Sequence, residues 1–144
     1  MRIGVPKEIK NHEYRAGVTP DGVRTLCAAG HQVWVQTQLG ERVGLPDRLY
    51  EAAGARIVAT AAEIYACEMV IKVKELQPLE FPLQHAGLIL YCYQHFAPDP
   101  ALLAAALTHN VTSVAYETVT AADGSLPLLT PMSQIAGRLA PQVG

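Results

Sequence analysis

The chain has 144 residues, a formal net charge of −2 at pH 7, and 50% hydrophobic against 17% charged residues. This length suits one domain, and the apolar content supports a packed core, which excludes a disordered chain. The charge gives no reason to expect nucleic acid or a membrane surface as a partner. No apolar stretch is long enough to span a bilayer, so no membrane association is expected.

The first third of the chain predicts a strand, a helix and a second strand. Residues 2–5 form a short apolar strand, and a polar loop follows over residues 7–15. Thr19 can cap a helix, and Pro20 suits its first position. A strand is expected next over residues 32–37. A strand–helix–strand unit of this kind implies a parallel pair with a right-handed crossover.

Helices and strands continue to alternate along the rest of the chain. Helices are expected over residues 46–53, 61–67 and 100–108 and from Pro131, and strands over residues 56–58, 69–73, 87–93 and 111–116. This alternation predicts an α/β domain with a doubly wound parallel sheet, flavodoxin-like or Rossmann-like. No G-x-G-x-x-G segment occurs, so the sheet is expected to lack the glycine turn that binds a dinucleotide.

The three cysteines, Cys27, Cys67 and Cys92, lie far apart and form no C-x-x-C pair. This spacing predicts neither a disulfide framework nor a zinc site, and no pair of histidines has the spacing of metal ligands. Each cysteine has apolar neighbours, as expected of a buried thiol in a reducing compartment. The first residues show no signal-peptide pattern. We therefore expect a cytoplasmic protein without a metal.

The strand expected over residues 69–73 is followed by Lys74. Burying an ammonium without a partner is costly, so we expect Lys74 to emerge at the carboxyl edge of the sheet, where open α/β sheets bind ligands. Lys72 lies two residues earlier on the same strand face and is interpreted as a supporting charge. The alternative is a solvated strand end with two surface lysines.

Three more polar residues occupy similar places. His95 and Glu117 each follow a predicted strand, and Arg15 lies in the loop after the first strand. Parallel strands end at one edge, so these residues can converge with Lys74. A guanidinium binds a carboxylate through two nitrogens, and an imidazole is a general acid/base near neutral pH. The alternatives are an ordinary loop arginine, a half-buried structural histidine, and a glutamate that only neutralises Lys74. The pattern favours a partly assembled site for a small carboxylate.

Several sequence blocks carry a resemblance to a known family. They are residues 1–11 (MRIGVPKEIKN) followed by Arg15, 18–20 (VTP), 29–31 (AGH), 52–55 (AAGA), 72–75 (KVKE), 116–119 (YETV) and 125–133 (SLPLLTPMS). On these blocks the chain resembles the N-terminal, substrate-side domain of the alanine dehydrogenase and nicotinamide nucleotide transhydrogenase family. It is more similar to the alanine dehydrogenases, because the transhydrogenases lack the lysine–glutamate block and His95.

The resemblance implies a conversion of L-alanine, NAD and water to pyruvate, ammonium and NADH. Arg15 and Lys74 would hold the carboxylate and carbonyl oxygen of this small-molecule substrate. His95 would be the general acid/base for the carbinolamine and imine steps, and Ser133 would contact the NAD cofactor. Members of the family are typically homo-oligomers, so a homo-oligomer is expected here.

The resemblance also implies how the chain is divided. Residues 1–130 would form the substrate-side catalytic domain, and residues 131–144 would begin the helix leading to an NAD-binding domain that this sequence does not include. We therefore expect these residues alone to be inactive as a dehydrogenase. The alternatives are a non-enzymatic module that binds 2-oxo acids and a truncated structural remnant that self-associates. The sequence also departs from the family pattern at Pro141, which is expected to kink or stop the final helix.

Overall fold

Six strands form one sheet in the computed structural model, which describes residues 1–143. The strands are β1 (Arg2–Val5), β2 (Gln32–Gln36), β3 (Arg56–Val58), β4 (Met69–Ile71), β5 (Ile89–Cys92) and β6 (Thr112–Ala115). Their order is β3-β2-β1-β4-β5-β6, and the pairs from β3 to β5 are all parallel. The doubly wound sheet is thus confirmed, and of the two strand orders it has the Rossmann-like one.

Helices alternate with the strands as the sequence predicted. The α-helices of the described residues are α1 (Pro20–Ala28), α2 (Asp47–Ala52), α3 (Ala61–Tyr65), α4 (Pro100–Thr108) and α5 (Thr130–Val143). The predicted cap of α1 is confirmed, because the Thr19 side chain accepts a hydrogen bond from the amide of Gly22 at 3.3 Å. Short 3₁₀ helices, which the sequence analysis did not predict, cover Glu41–Val43, Pro78–Leu83 and Tyr116–Thr118.

β4 is shorter than predicted. It ends at Ile71 instead of Val73, so both lysines of the 72–75 block follow the strand. The amide of Lys72 still donates to the carbonyl of Tyr91 in the next strand, at 3.0 Å. The amide of Val73 instead donates to a side-chain carboxylate, that of Glu8, which is where the regular strand pattern is interrupted.

The core consists of two hydrophobic clusters. One contains buried side chains of α3, α4 and β5, including Ile64 and Leu102, and the other contains buried side chains of α1, α2 and β2, including Val23. Gly4 lets β1 pass close to α3, because a Cβ at this position would lie 2.6 Å from the carbonyl oxygen of Ile64. Cys67 and Cys92 are buried as predicted, whereas Cys27 is only partly buried, so the prediction is wrong for that residue.

The described chain divides into two compact units at residue 114. The first unit, residues 1–114, contains nearly all of the sheet. The second contains the 3₁₀ helix at 116–118 and α5, and each unit is described by itself. The predicted domain boundary after residue 130 stays a prediction. None of the helices found within residues 1–143 has both the length and the apolar character needed to cross a membrane.

Pro141 does not stop the final helix, so this part of the expectation is wrong, while the expected kink stays a prediction. α5 runs from Thr130 to Val143 with Pro141 inside it. Proline cannot donate a backbone hydrogen bond, but in the last turn of a helix this removes a single bond. The helix therefore continues for two residues beyond the proline.

Candidate functional site

The carboxyl ends of three adjacent strands define the candidate site. β1, β4 and β5 are neighbours in the middle of the sheet, and the chain changes from one half of the sheet to the other between β1 and β4. In open α/β sheets such a switch point is where ligands bind. Arg15 follows β1, Lys74 follows β4 and His95 follows β5. All three residues therefore follow strands whose carboxyl ends share one edge of the sheet, and their convergence on one site stays a prediction.

Gly17 brings the loop that carries Arg15 close to the end of β4. A Cβ at Gly17 would lie 2.7 Å from the carbonyl oxygen of Ile71 and 3.1 Å from the Cα of Lys72. Both neighbours are backbone atoms, which cannot move aside as a flexible side chain could. The absence of a side chain at Gly17 thus allows the loop after β1 to lie against the segment that leads to Lys74.

Arg15 is held by a neighbouring carboxylate. Its Nε donates to Oε1 of Glu13 at 2.8 Å, and its Nη2 donates to Oε2 at 2.6 Å. These hydrogen bonds hold the pKa of Glu13 below its ordinary value, and the charge of Lys74 lowers it further. Lys74 and Arg15 are therefore both close enough to the Glu13 carboxylate for their charges to act on it.

Lys72 is a buried counter-ion. Its side chain is 0% exposed, and its Nζ donates to Oε2 of Glu8 at 3.1 Å and to Oε1 of Glu80 at 2.8 Å. Burial acts to lower the pKa of Lys72, but the charges and hydrogen bonds of Glu8 and Glu80 outweigh it and raise the pKa. The interpretation of Lys72 as a supporting charge is confirmed. The alternative of two surface lysines is wrong for Lys72, because both carboxylates compensate its burial.

Lys74 is attached to the loop after β1 through its backbone. Oε1 of Glu8 accepts the amide of Val73 at 2.7 Å and that of Lys74 at 3.3 Å. Burial raises the pKa of the Glu8 carboxyl, although the charge of Lys72 and the amide of Val73 act in the opposite direction. The Lys74 side chain is less buried than that of Lys72. Of the two lysines, Lys72 is thus the one whose ammonium pairs with the buried carboxylates of Glu8 and Glu80.

His95 has an unusual backbone conformation. Its φ is +50°, in the left-handed region that residues with a side chain rarely adopt. Its ring stacks on that of Tyr93 with centroids 6.0 Å apart and an interplanar angle of 19°. Strained backbone of this kind is found preferentially at functional sites.

Glu75, which follows Lys74 in sequence, pairs with Lys10 of the loop after β1. Its Oε1 forms an ion pair with Lys10, and its Oε2 is buried without a hydrogen-bond partner among the described residues. Burial acts to raise the pKa of Glu75, but the hydrogen bond from Lys10 and the charges of Lys10 and His95 lower it below its ordinary value. A carboxylate next to Lys74 in sequence is therefore held by a cation from the loop after β1.

A pocket of about 280 Å³ lies at the loop after β1. It is lined by residues 7–15 together with Gln38, Leu39 and Arg42. The pocket lining includes Arg15 but neither Lys74 nor His95. The pocket therefore does not bring the three predicted residues together.

The remaining predicted residues belong to the second unit. Ser133 lies in the first turn of α5 and is exposed, and Glu117 lies in the 3₁₀ helix at 116–118. Their relation to Lys74 stays a prediction. Within residues 1–143 there is no group of three or more histidine, cysteine, aspartate or glutamate side chains that could hold a metal ion.

A family model described as "Alanine dehydrogenase/PNT, N-terminal domain" matches residues 4–136. The chain belongs to this family. The alanine dehydrogenase of Bilophila wadsworthia is 54% identical over 144 residues, which are 100% of this chain and 38% of that protein. The alanine dehydrogenase of Methanococcus maripaludis is 52% identical over 145 residues, covering 100% of this chain and 39% of that protein.

Solved structures agree with this assignment. An L-alanine dehydrogenase superposes with a TM-score of 0.94 at 49% identity, covering 100% of this chain and 40% of that one. A transhydrogenase from Sinorhizobium meliloti superposes with a TM-score of 0.77 at 24% identity over 81% of this chain and 35% of that one, which shows a shared fold alone. The chain thus spans about two fifths of the length of the alanine dehydrogenases it matches.

The described residues of this alanine dehydrogenase family member do not fit a dinucleotide at the end of β1. Dinucleotide-binding sheets place a glycine-rich turn there, directly before a helix. Here β1 is followed by Pro6, and α1 begins only at Pro20. The buried carboxylate of Glu8 lies in the intervening loop and would repel a pyrophosphate. The prediction of a sheet without a dinucleotide turn is consistent with these features.

The carboxylates that organise the site were not predicted from the sequence. Glu8, Glu13 and Glu80 each bind a cation at or next to the predicted residues. A signal existed for Glu8 and Glu13, because they follow β1 just as Lys74 follows β4. No local signal pointed to Glu80, which lies in a 3₁₀ helix too short to show a hydrophobic period.

Proposed function

We propose that the chain provides the substrate-side wall of an alanine dehydrogenase site, in which L-alanine, NAD and water are converted to pyruvate, ammonium and NADH. One observation carries the proposal: Arg15, Lys74 and His95 follow three adjacent strands at the switch point of the sheet. Identities of 54% and 52% to alanine dehydrogenases, each over the whole chain, support it.

Arg15 would bind the substrate carboxylate. Guanidinium and carboxylate form short charge-assisted hydrogen bonds, which fix orientation as well as affinity. Glu13 would hold the guanidinium in the orientation that meets the substrate carboxylate, because it binds Nε and Nη2 of Arg15.

Lys74 would donate a hydrogen bond to the carbonyl oxygen of pyruvate. Negative charge grows on that oxygen as the carbonyl carbon is attacked, and a fixed ammonium stabilises the charge. His95 would move protons to and from the reacting nitrogen and oxygen, because histidine is the side chain that most often acts as a general acid or base. The placement of both residues at the edge occupied by Arg15 supports these roles.

The proposal also includes a contact to NAD, a homo-oligomeric state and a cytoplasmic location. Ser133 would contact NAD, while the main dinucleotide site would lie outside the residues described here. A homo-oligomer is supported by exposed apolar side chains on α5, among them Ile135 and Val143. A cytoplasmic location is supported by the free thiols of the three cysteines.

The first test is calorimetric titration of a polypeptide of these 144 residues with pyruvate. Lys74→Ala and Arg15→Ala should each remove the heat of binding. Arg24→Ala is the matched control, since Arg24 is a surface cation on α1 whose partner is Asp21. Equal heats for Lys74→Ala and the unaltered chain would contradict the assignment of Lys74.

The second test separates an enzyme from a binding module. The 144-residue polypeptide should show no turnover with alanine and NAD. Fusion to the remaining segment of the Bilophila wadsworthia relative should give alanine-dependent NAD reduction, and Lys74→Ala in the fusion should abolish it. A folded fusion that binds pyruvate but never reduces NAD would count against the dehydrogenase and for a 2-oxo acid binding module.

A further inference from the structure

One carboxylate contacts three consecutive residues after β4. Oε2 of Glu8 accepts the ammonium of Lys72 at 3.1 Å, and Oε1 accepts the amides of Val73 at 2.7 Å and Lys74 at 3.3 Å. Glu8 is 8% exposed, so these bonds form away from bulk water. Its carboxylate thus has a partner for each oxygen, and all the partners lie in the segment that ends at the site lysine.

A second carboxylate shares the same ammonium but not the same backbone. Glu80 accepts Lys72 Nζ at 2.8 Å and the hydroxyl of Tyr65 at 3.0 Å through Oε1. Its Oε2 accepts the amide of Gln77 at 2.8 Å. Glu80 therefore compensates the charge of Lys72 without any bond to residues 73 and 74.

Stability is not a sufficient explanation for this arrangement. Buried ion pairs are often no more stabilising than apolar residues of the same shape. Glu8 instead fixes the direction of the chain after β4. The strand ends at Ile71. Beyond it, the amides of Val73 and Lys74 donate to Glu8 in place of a neighbouring strand. Glu8 also belongs to the loop that carries Arg15. One side chain therefore sets the substrate-binding loop after β1 against the backbone of Lys74.

We propose that Glu8 is a positioning residue that fixes the backbone of Lys74 opposite the Arg15 loop, with the buried Lys72 ammonium holding the Glu8 carboxylate in place. The inference rests on the proposed function for what Lys74 does, but the positioning itself is a property of the fold. Glu8 acts through Lys74 and does not need to touch the substrate.

The test compares Glu8→Gln with the matched control Glu80→Gln. Each removes one buried negative charge next to Lys72, but only Glu8→Gln alters the acceptor of the Lys74 amide. Pyruvate affinity should fall at least about tenfold in Glu8→Gln, as expected when a hydrogen bond to a charged group is lost, and stay within about twofold in Glu80→Gln. Equal losses in both variants, or no loss in Glu8→Gln, would overturn the proposal.

Amide hydrogen exchange supplies a readout that needs no ligand. The Lys74 amide should exchange at least about tenfold faster in Glu8→Gln than in the unaltered chain, with little change in Glu80→Gln. Unchanged exchange at Lys74 in Glu8→Gln would overturn the positioning role. If the unaltered chain binds no pyruvate, the proposed function fails, while exchange still decides the role of Glu8.

A measurement on the unaltered chain covers the case in which Glu8→Gln does not fold. Nuclear magnetic resonance should detect a scalar coupling across the hydrogen bond between the amide nitrogen of Val73 and the carboxyl carbon of Glu8. Absence of this coupling in the folded chain would overturn the proposal. Glu8→Asp provides a second variant, since it keeps the charge but shortens the reach, and it should also speed exchange at Lys74.

Discussion

Glu13 binds Arg15 at three nitrogens, with Oε1 2.9 Å from the backbone amide and 2.8 Å from Nε, and Oε2 2.6 Å from Nη2. The Glu13 side chain is 8% exposed, whereas that of Arg15 is 44% exposed. The acid is thus the fixed partner and the guanidinium the accessible one. The pair therefore differs from an ordinary surface ion pair, in which both side chains are solvated and contribute little to stability.

Glu13→Gln should weaken pyruvate binding about tenfold, because the guanidinium loses the charged partner that orients it. The unfolding free energy should fall by about 1–3 kcal/mol, because the Glu13 side chain, which is largely buried, loses charge-assisted hydrogen bonds to Arg15. Calorimetric titration and urea unfolding measure the two effects. Glu51→Gln, at an exposed position of α2, is the control. Unchanged pyruvate affinity in Glu13→Gln would show that Glu13 does not orient Arg15.

The Glu13–Arg15 pair also predicts how the stability of the fold depends on pH. Because hydrogen bonds from Arg15 hold the pKa of Glu13 below its ordinary value of 4.5, the folded carboxyl loses its charge at lower pH than the unfolded one. The stability contributed by Glu13 is therefore present above pH 4.5 and is lost as pH falls through the lowered pKa. In Glu13→Gln, the decrease in unfolding free energy that accompanies protonation of Glu13 should be missing.

Lys72→Met should lower the unfolding free energy by about 3–5 kcal/mol, because two buried carboxylates lose their common counter-ion. Lys7→Met is the control, since the Lys7 ammonium donates to the side chain of Gln38 in an exposed hydrogen bond and its loss should cost no more than about 1 kcal/mol. Urea unfolding at neutral pH measures both. Similar losses in the two variants would contradict the difference in burial between the two lysines.

Lys72 also predicts how the fold responds to alkali. Its pKa is raised above the ordinary 10.5, so its contribution to stability is full below pH 10.5 and is lost as pH rises through the raised value. Lys72→Met should remove this alkaline loss. Urea unfolding of both proteins across this range gives the comparison.

Tyr50 should titrate late in the folded chain. Its hydroxyl donates to the carbonyl of Val18 at 3.0 Å, and burial, with help from the charge of Asp47, raises its pKa from 10.0 to about 12. Its stabilising contribution is therefore present below pH 10.0 and declines as pH rises toward about 12. The absorbance of tyrosinate should show that Tyr50→Phe lacks the hydroxyl that titrates near pH 12. Tyr14→Phe, a change at an exposed position, is the control and should retain that hydroxyl.

The sheet was predictable from the sequence because its signals are local. Thr19 and Pro20 mark the start of α1, and turn residues separate short apolar runs along the rest of the chain. The end of β4 was not predictable, because it depends on a carboxylate from another part of the chain. Glu8 is 65 positions from Val73, whose amide it accepts.

The site was predictable only in its outline. Arg15, Lys74 and His95 stand out because they follow strands that must share an edge. The burial of Lys72 could not be derived, since its partners lie 64 and 8 positions away and only the fold brings them together. Glu13 was overlooked because a glutamate in a charged loop is usually solvated. In this chain the carboxylates that orient cations were harder to find than the cations themselves.

His95→Gly should separate stability from function. With φ at +50°, His95 has a steric penalty of about 1–2 kcal/mol that glycine does not have, and this offsets the loss of stacking on Tyr93, so His95→Gly should change the unfolding free energy by no more than about 1 kcal/mol. In the fusion with the Bilophila wadsworthia segment, the same change should lower kcat by about 10²–10⁴-fold, because the proton-transferring group is removed.

Asn110→Gly is the matched control for this experiment. Asn110 has φ at +52° and follows α4, so it tests the backbone effect at a position with no proposed role. Asn110→Gly should leave kcat unchanged. If His95→Gly lowers the unfolding free energy by several kcal/mol while kcat persists, His95 is a structural histidine, and its strained backbone serves packing against Tyr93 instead of proton transfer.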